Sequence, residues 1–315
     1  MKILKLIGKI LLSAIACVLV LAILTVGGLN VAKYGIYKEF YSIRTNICKN
    51  PGLSDGFVCQ GIAADEENEI FLVSGYMKDK SASRIYITNE QNDSYHVSLV
   101  KGGEDFTGHA GGIAVTRGTV YLASGKRIYS LPLSVLLEAE AGEVIEIGEG
   151  VRVNNSASFV FTDEEYLYVG EFHDGGAYQT SHTYMTPSGE NNAIISRYKL
   201  GELDAPDRIY SIPDKVQGVA FTPDGKIVFS TSYGITDSVY YVYDASEIIP
   251  TEHTLDGAPV YFLGECIKKI KGPAMSEDLD WYEGRVISLS ESASDKYIFG
   301  KLFFANKIYG LDYNG

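Results

Sequence analysis

The chain contains 315 residues, of which 21% are charged and 12% aromatic, and this composition excludes an intrinsically disordered protein. A formal net charge of −13 at pH 7 argues against nucleic acid as a partner, because an acidic surface repels phosphate. After residue 40 helical periodicity is almost absent, and short runs rich in tyrosine, valine and isoleucine alternate with turn residues. This pattern predicts an all-β protein.

The N-terminus differs from the rest of the chain. Three lysines precede segment 10–29, which is uncharged and as long as the ~20 residues that a transmembrane helix needs. We therefore predict a basic cytoplasmic leader at 1–9, a single-pass transmembrane anchor at 10–29, a linker at 30–37 and a folded domain at 38–315. The domain is expected outside the cytoplasm, because the positively charged flank of a span stays inside. A cleaved signal peptide is the alternative, although its apolar segment is usually shorter.

Five segments share one order of elements, in which a small or polar residue leads into a strand, a turn, a second strand and then a third. Two of them are "CQGIAADEENEIFLVSGY" and "VQGVAFTPDGKIVFSTSYG". Matched on their first strands, the equivalent positions are Gln60, Gly111, Ser156, Gln217 and Glu277. Their spacing is typical of propeller blades, so we predict a single β-propeller with five blades, or six if one irregular blade is hidden.

Each blade also needs a fourth, outer strand. The segments predicted to supply it in the first four blades are 95–101, 143–149, 207–213 and 259–266. The fifth repeat reaches the end of the sequence without an outer strand. Segment 38–46 is therefore predicted to add the last strand and to close the ring.

In a propeller, the starts of the innermost strands and the ends of the second strands surround one mouth of the central channel, where small ligands bind. Polar residues that are far apart in sequence are therefore expected to meet there. Those expected to contact a small-molecule, glycan or peptide ligand are Gln60, Ser156, Gln217, His173, Tyr233 and Glu171. Tyr76, His109, Asn155 and Glu291 are expected at the same mouth.

Glu277 and Asp278 are adjacent carboxylates at the start of the fifth inner strand. Two such groups repel each other and lose hydration when they are buried, so something must offset this cost. Calcium would do so, because it binds carboxylate and amide oxygens. The alternative is that both carboxylates accept hydrogen bonds from backbone amides and bind nothing.

Three segments resemble a family of calcium-dependent propellers. "SEDLDWYEGRVISLS" is similar to the Ser-Glu-Asp-Leu segment of the paraoxonases, "HAGGIAV" resembles their histidine segment, and "VQGVAFTPDGKIVFSTS" is similar to strands of the paraoxonases, the gluconolactonases and the strictosidine synthase-like proteins. The resemblance implies calcium binding by Glu277, Asp278 and Asn155, and a proton-transfer role for His109. The chain departs from the family pattern in its five blades, in the circularly shifted order of its segments and in Gln217, which replaces an asparagine ligand.

Two functions follow, and a third is left open. The first is a calcium-dependent lactone or ester hydrolase, in which calcium polarises a carbonyl oxygen and His109 moves a proton. The second is a non-catalytic propeller that binds a glycan, a peptide or an envelope protein. The third is a scaffold within a membrane complex. Neither GxSxG nor HExxH is present, so serine esterase and zinc protease chemistry lack support.

Three cysteines lie outside the apolar segment, namely Cys48, Cys59 and Cys266. An exported domain permits disulfides. We expect one bridge, between Cys48 and Cys59 or alternatively between Cys48 and Cys266, and one free thiol.

Overall fold

Five larger β-sheets and one two-stranded hairpin form the β structure of the computed structural model, which describes residues 2–314 and all of their side chains except those of Lys2, Leu4 and Phe303. The chain begins with α1 (Lys2–Ile36), α2 (Lys38–Ile43) and β1 (Arg44–Lys49). Each of the five larger sheets is one blade of a five-bladed propeller, which confirms the predicted fold class.

The first two blades are built as follows. Blade 1 contains β2 (Phe57–Asp65), β3 (Ile70–Met77), β4 (Arg84–Thr88), β5 (Ser94–Lys101) and the short β6 (Glu104–Asp105). Blade 2 contains β7 (Gly112–Thr116), β8 (Thr119–Ser124), β9 (Arg127–Pro132) and β11 (Val151–Arg152). Between β9 and β11 lie α3 (Leu133–Leu137) and β10 (Val144–Glu146), and β10 extends the sheet of blade 1.

Blade 3 contains β12 (Phe159–Thr162), β13 (Tyr166–Gly170), the hairpin β14 (Tyr184–Thr186) and β15 (Gly189–Asn191), β16 (Ala193–Lys199) and β17 (Arg208–Ile212). Blade 4 contains β18 (Val216–Phe221), β19 (Lys226–Thr231), β20 (Ser238–Asp244) and β23 (Cys266–Gly272), whereas the intervening β21 (Ile249–Leu255) and β22 (Ala258–Phe262) extend the sheet of blade 3. Blade 5 contains β24 (Ser276–Tyr282), β25 (Arg285–Ser290) and β26 (Lys307–Leu311). Short 3-10 helices occupy Ala245–Glu247, Glu291–Ala293 and Gly300–Phe303.

The N-terminal strand closes the ring, as predicted. β1 pairs antiparallel with β26, and Arg44 lies opposite Leu311. The strand begins only at Arg44, however, because residues 38–43 form α2. This helical turn buries Phe40, which is 1% exposed and packs against the rings of Tyr240 and Tyr309 at 5.8 and 5.6 Å between centroids.

Two of the predicted outer strands belong to the preceding blade. Segment 143–149 contains β10, which pairs in parallel with β5 of blade 1, and segment 259–266 contains most of β22, which pairs in parallel with β17 of blade 3. The outer strands of blades 2 and 4 are instead β11 and β23, which pair with β9 and β20. A strand in which apolar and polar residues alternate can pair with any open sheet edge. The sequence pattern therefore did not show whether such a strand pairs within its own blade or with the neighbouring blade.

The apolar N-terminal segment is helical over its whole length. Residues 5–36 form the one helix within 2–314 that is long and apolar enough to cross a membrane. The helix continues through 30–36, so most of the predicted linker is helical rather than irregular. Its apolar residues before Gly28 are exposed, whereas Lys33 is buried against the propeller.

The expected disulfide is absent from residues 2–314, where all four cysteines are free thiols. Cys48 and Cys59 are buried in the core between blades 5 and 1. Asn50 Nδ2 donates to Cys59 Sγ at 3.1 Å, and burial raises the pKa of the Cys48 thiol to about 12. Both thiols are therefore inert apolar packing groups.

Candidate functional site at the channel mouth

The five inner strands surround one axis. β2 contacts β7, β7 contacts β12, β12 contacts β18, β18 contacts β24, and β24 contacts β2. Glycines permit this close approach, because a Cβ atom on Gly61 would lie 2.6 Å from Ile113 N and one on Gly218 would lie 2.5 Å from Asp278 Cα. The starts of these strands are therefore brought together at one mouth.

Glu277 is a buried carboxylate at this mouth. Its side chain lies at a bulge of β24, where the pairing register with β25 shifts between Ser276 and Leu279. The residue is 4% exposed, and no donor within 2–314 reaches its carboxylate, whose oxygens are not among the fully enclosed polar atoms. Burial raises its pKa well above the usual value, and the charges of Glu291 and Asp278 raise it further.

Glu291, at the end of β25, is the second buried carboxylate of the mouth and is 8% exposed. Its Oε2 accepts hydrogen bonds from Gln60 Nε2 at 3.0 Å and from Tyr297 OH at 3.2 Å. Burial raises its pKa to about 7, although the Lys296 ammonium and these two donors oppose the rise. Glu277 and Glu291 thus form a pair of carboxyl groups that are difficult to ionise together.

His109 lies on the neighbouring side of the same mouth. Its ring is exposed and stacks on Tyr76, with 4.9 Å between centroids and 19° between planes. Tyr76 OH lies 3.2 Å from Tyr297 OH, and Lys296 Nζ lies 4.5 Å from the Tyr76 ring centroid. Loss of hydration and the Lys296 charge lower the pKa of His109, which favours its neutral form. The mouth cluster is defined here as Gln60, Tyr76, His109, Glu277, Glu291, Lys296 and Tyr297.

Asp278 has a different environment from its neighbour Glu277. Its Oδ1 accepts a hydrogen bond from Leu279 N at 3.0 Å and its Oδ2 one from Ile62 N at 3.4 Å. Asp280 repeats this arrangement, because its Oδ2 accepts from Ala64 N at 2.8 Å. Both aspartates join β24 to β2, which are neighbouring inner strands of different blades. Asp278 and Asp280 together are called the blade seam. For Asp278, hydrogen bonds from backbone amides are the alternative to calcium binding that the sequence left open.

Asn155 and Glu171 lie together in blade 3. Asn155 is 1% exposed, its Nδ2 donates to Val169 O at 2.8 Å, and its buried Oδ1 has no partner within 2–314. Glu171 is 2% exposed and accepts from the backbone N–H groups of Ser156 and Ile194, both at 3.3 Å.

The long insertion of blade 3 folds back onto Glu171. His182 Nε2 lies 3.4 Å from Glu171 Oε1, and His173 Nδ1 lies 3.0 Å from Thr180 Oγ1. Both histidines therefore hold the insertion close to the end of β13.

Gln217 and Tyr233 belong to blade 4. Gln217 Nε2 donates to Ser232 Oγ at 3.3 Å, which leaves its amide oxygen available. Tyr233 is 46% exposed and stacks on Phe172 at 6.4 Å between centroids.

The sequence analysis missed Lys296 and Tyr297. Both lie in the connection between β25 and β26, which is outside the part of the repeat that the five segments share. The only signal for them was the length of this connection, because a long loop after a second strand must lie at the mouth.

A calcium ion needs six to eight oxygen ligands in one place. Within 2–314, no three side chains among histidine, cysteine, aspartate and glutamate are grouped so that they could hold a metal. The charges of Glu277 and Glu291 nevertheless act on each other, and their carboxylate oxygens suit a hard cation that completes its shell with water. Gln60 presents its amide nitrogen, rather than its oxygen, to Glu291. Asp278 is already committed to backbone donors.

No protein-family model matches the chain, and none of the curated proteins matches it. Solved structures match it over most of its length, at low identity. The PQQ-bound aldose sugar dehydrogenase of Streptomyces coelicolor is 12% identical, with a TM-score of 0.47 over 85% of this chain and 97% of that chain. The gluconolactonase XC5397 of Xanthomonas campestris is 13% identical, with a TM-score of 0.40 over 85% and 88%. Similarity at this level assigns neither a family nor an activity to the chain.

Proposed function

We propose that the chain is a membrane-anchored, extracytoplasmic propeller that hydrolyses a lactone or an ester in the presence of calcium. The observation that carries this proposal is the buried pair Glu277 and Glu291. A buried carboxylate without a donor is unfavourable unless it is protonated or bound to a cation. A mouth that maintains such a group is suited to a cation and to chemistry at an oxygen-rich substrate.

Calcium would be held by the carboxylates of Glu277 and Glu291 and by water. Asn155, with its unpartnered Oδ1, is the further ligand that the family resemblance implies. When bound, calcium supplies a Lewis acid for the carbonyl oxygen of the substrate. Asp278 is assigned to the fold rather than to the metal, because both of its oxygens accept backbone hydrogen bonds.

His109 is the proposed proton-transfer residue. Its neutral imidazole takes a proton from a water molecule, whose oxygen forms a bond with the carbonyl carbon. The bond from this carbon to the leaving oxygen then breaks, and the imidazolium returns its proton to that oxygen. A lactone gives a hydroxy acid, and an ester gives an acid and an alcohol. Lys296 places a positive charge beside the site where negative charge develops on oxygen.

The remaining polar residues of the mouth are proposed to bind the substrate. They come from blades 1, 3 and 4 and are Gln60, Ser156, Gln217, Glu171, His173 and Tyr233. We further propose that α1 is retained as the anchor, with the N-terminus in the cytoplasm and the propeller outside. The lysines before the span support this orientation, and the contacts of the helix with the propeller support its retention.

The test uses the full-length protein in detergent. Turnover of a panel of lactones and aryl esters is measured with a chelator and after calcium is restored, and calcium binding is measured by titration calorimetry. Glu277→Gln is expected to abolish calcium binding and turnover, whereas the control Glu283→Gln, which changes an exposed carboxylate at the opposite end of β24, is expected to change neither. Absence of turnover across the panel, with and without calcium, by a folded protein would refute the hydrolase.

An aromatic surface favours the second candidate, a binding propeller. Tyr178 and Tyr233 are 49% and 46% exposed, and both pack against Phe172. Exposed tyrosines of this kind recognise glycans and peptides through large contacts with a polar tip. A glycan and peptide array with wild type, Tyr233→Ser and Glu277→Gln tests this candidate. Binding that is lost with Tyr233→Ser and kept with Glu277→Gln would support recognition without catalysis.

A further inference from the structure

The apolar helix joins the propeller at the same face as the mouth cluster. Asn30 Nδ2 donates to Lys301 O at 3.2 Å, Asn30 Oδ1 accepts from Phe304 N at 3.2 Å, and Lys33 Nζ donates to Phe304 O. Lys301 and Phe304 belong to the connection 291–306 between β25 and β26, which also carries Glu291. The anchor and the candidate site are therefore linked by one loop.

The path of the chain shows on which side the helix leaves. Tyr37 OH donates to Asp237 Oδ1 at 2.9 Å, at the mouth end of β20. Arg44 then lies opposite Leu311, at the other end of blade 5. Residues 30–44 thus pass from the mouth face toward the opposite face, so the helix before Asn30 extends outward from the mouth face.

The uncharged segment ends where these contacts begin. Segment 10–29 covers about 30 Å as a helix, which is the thickness of the hydrocarbon core. Asn30 follows immediately and is hydrogen-bonded to the propeller, so no flexible linker separates the two. A bilayer around segment 10–29 would have its headgroups at the level of connection 291–306.

Exposed apolar side chains lie on this part of the mouth face. Ile298 is 80% exposed, Phe299 is 68% exposed, and Ile235, in the connection between β19 and β20, is 58% exposed. Together with Lys296 and Tyr297 they line a surface pocket of about 290 Å³. Apolar and aromatic side chains with lysine beside them are the composition that binds the boundary between headgroups and acyl chains.

We propose that the mouth face lies on the bilayer surface, with Ile235, Ile298 and Phe299 inserted at the headgroup–acyl boundary. The mouth cluster then opens toward lipid, and its ligand is an amphiphile that arrives along the bilayer. This inference rests on the proposed anchor and is independent of whether the site hydrolyses its ligand. The occupant of this face is a lipid surface, and a second copy of the chain or a protein partner is the alternative that the test must exclude.

The test measures tryptophan quenching by brominated lipids in the full-length chain. Wild type, Phe299→Trp, Ile298→Trp and the control Glu164→Trp are reconstituted into zwitterionic vesicles, and flotation verifies that each variant is membrane-bound. Glu164 is exposed in the turn between β12 and β13, on the opposite face. The single native Trp281 gives the background emission in every sample.

We expect the tryptophan introduced by Phe299→Trp or Ile298→Trp to emit at shorter wavelength and to be quenched by brominated lipid. The tryptophan introduced by Glu164→Trp should remain unquenched. Equal, low quenching at all three positions in floated protein would overturn the proposal. A blue shift without quenching would also overturn it, in favour of a protein partner or a second copy. If the proposed hydrolase activity is wrong, turnover will be absent but the quenching result will not change, because quenching depends on neither calcium nor substrate.

Discussion

Glu277 in the mouth cluster and Asp278 in the blade seam are adjacent in sequence, almost equally buried and both raised in pKa. They differ in their partners. Asp278 accepts hydrogen bonds from two backbone N–H groups, whereas Glu277 accepts none from residues 2–314 and faces Glu291. Burial alone therefore does not mark a functional site, whereas a buried carboxylate without a donor does indicate one.

The largest change in stability is expected when the hydrogen bonds of the blade seam are removed. Asp278→Ala leaves the buried Ile62 N–H group without a partner and should lower the free energy of unfolding by about 3 kcal/mol. Urea denaturation in a chelator measures it. Glu277→Ala is the matched control and should change the free energy of unfolding little, because it removes a carboxylate without donors. Equal losses of stability in Asp278→Ala and Glu277→Ala would show that the backbone hydrogen bonds of Asp278 do not set it apart from Glu277.

Calcium should act on the mouth alone. At a calcium concentration 100 times its Kd, the wild-type protein should gain about 2.7 kcal/mol in the free energy of unfolding. Glu277→Gln should lose this gain, and Asp280→Asn should keep it. Thermal unfolding with and without calcium measures both. A gain that survives Glu277→Gln would place the cation elsewhere.

The seam should make stability depend on pH. Burial raises the pKa of Asp280 to about 7, although hydrogen bonds from Ala64 N and Trp281 N oppose the rise. Between about pH 4 and pH 7 the folded state therefore binds a proton that the unfolded state has released, so the free energy of unfolding falls as the pH rises through this window.

The size of this fall is set by the difference between the folded and unfolded pKa of Asp280. Asp280→Asn should flatten the fall between pH 4 and pH 7 in urea denaturation, whereas Glu283→Gln should leave it unchanged. A fall of the same size in Asp280→Asn would show that Asp280 is already ionised in the folded protein.

The smallest effect is expected at the edge of the mouth. Gln60→Leu removes the donor to Glu291 Oε2 and should cost about 1 kcal/mol. It should also raise the pKa of the Glu291 carboxyl, because the bond to Gln60 holds that pKa down. Carbon-13 NMR titration of labelled glutamate measures the shift. An unchanged titration would show that the bond from Gln60 does not influence Glu291.

Local sequence patterns were sufficient to predict the helix, the five blades and closure of the ring by an N-terminal strand. They were not sufficient to assign segments 143–149 and 259–266, because an alternating strand fits the open edge of either of two neighbouring blades. Lys296 and Tyr297 were also missed, since their connection has no counterpart in the other repeats.

By itself, the sequence determined the all-β class, the blade number and which strand starts carry polar residues, because each of these follows from periodicity within one segment. Only the tertiary structure decided that Asp278 joins two blades while Glu277 faces Glu291. The physical reason is the bulge of β24, where the register with β25 shifts and adjacent side chains meet groups from different blades. The placement of the apolar helix at the mouth face was likewise decided by contacts between residues 30–33 and residues 301–304, which are remote in sequence.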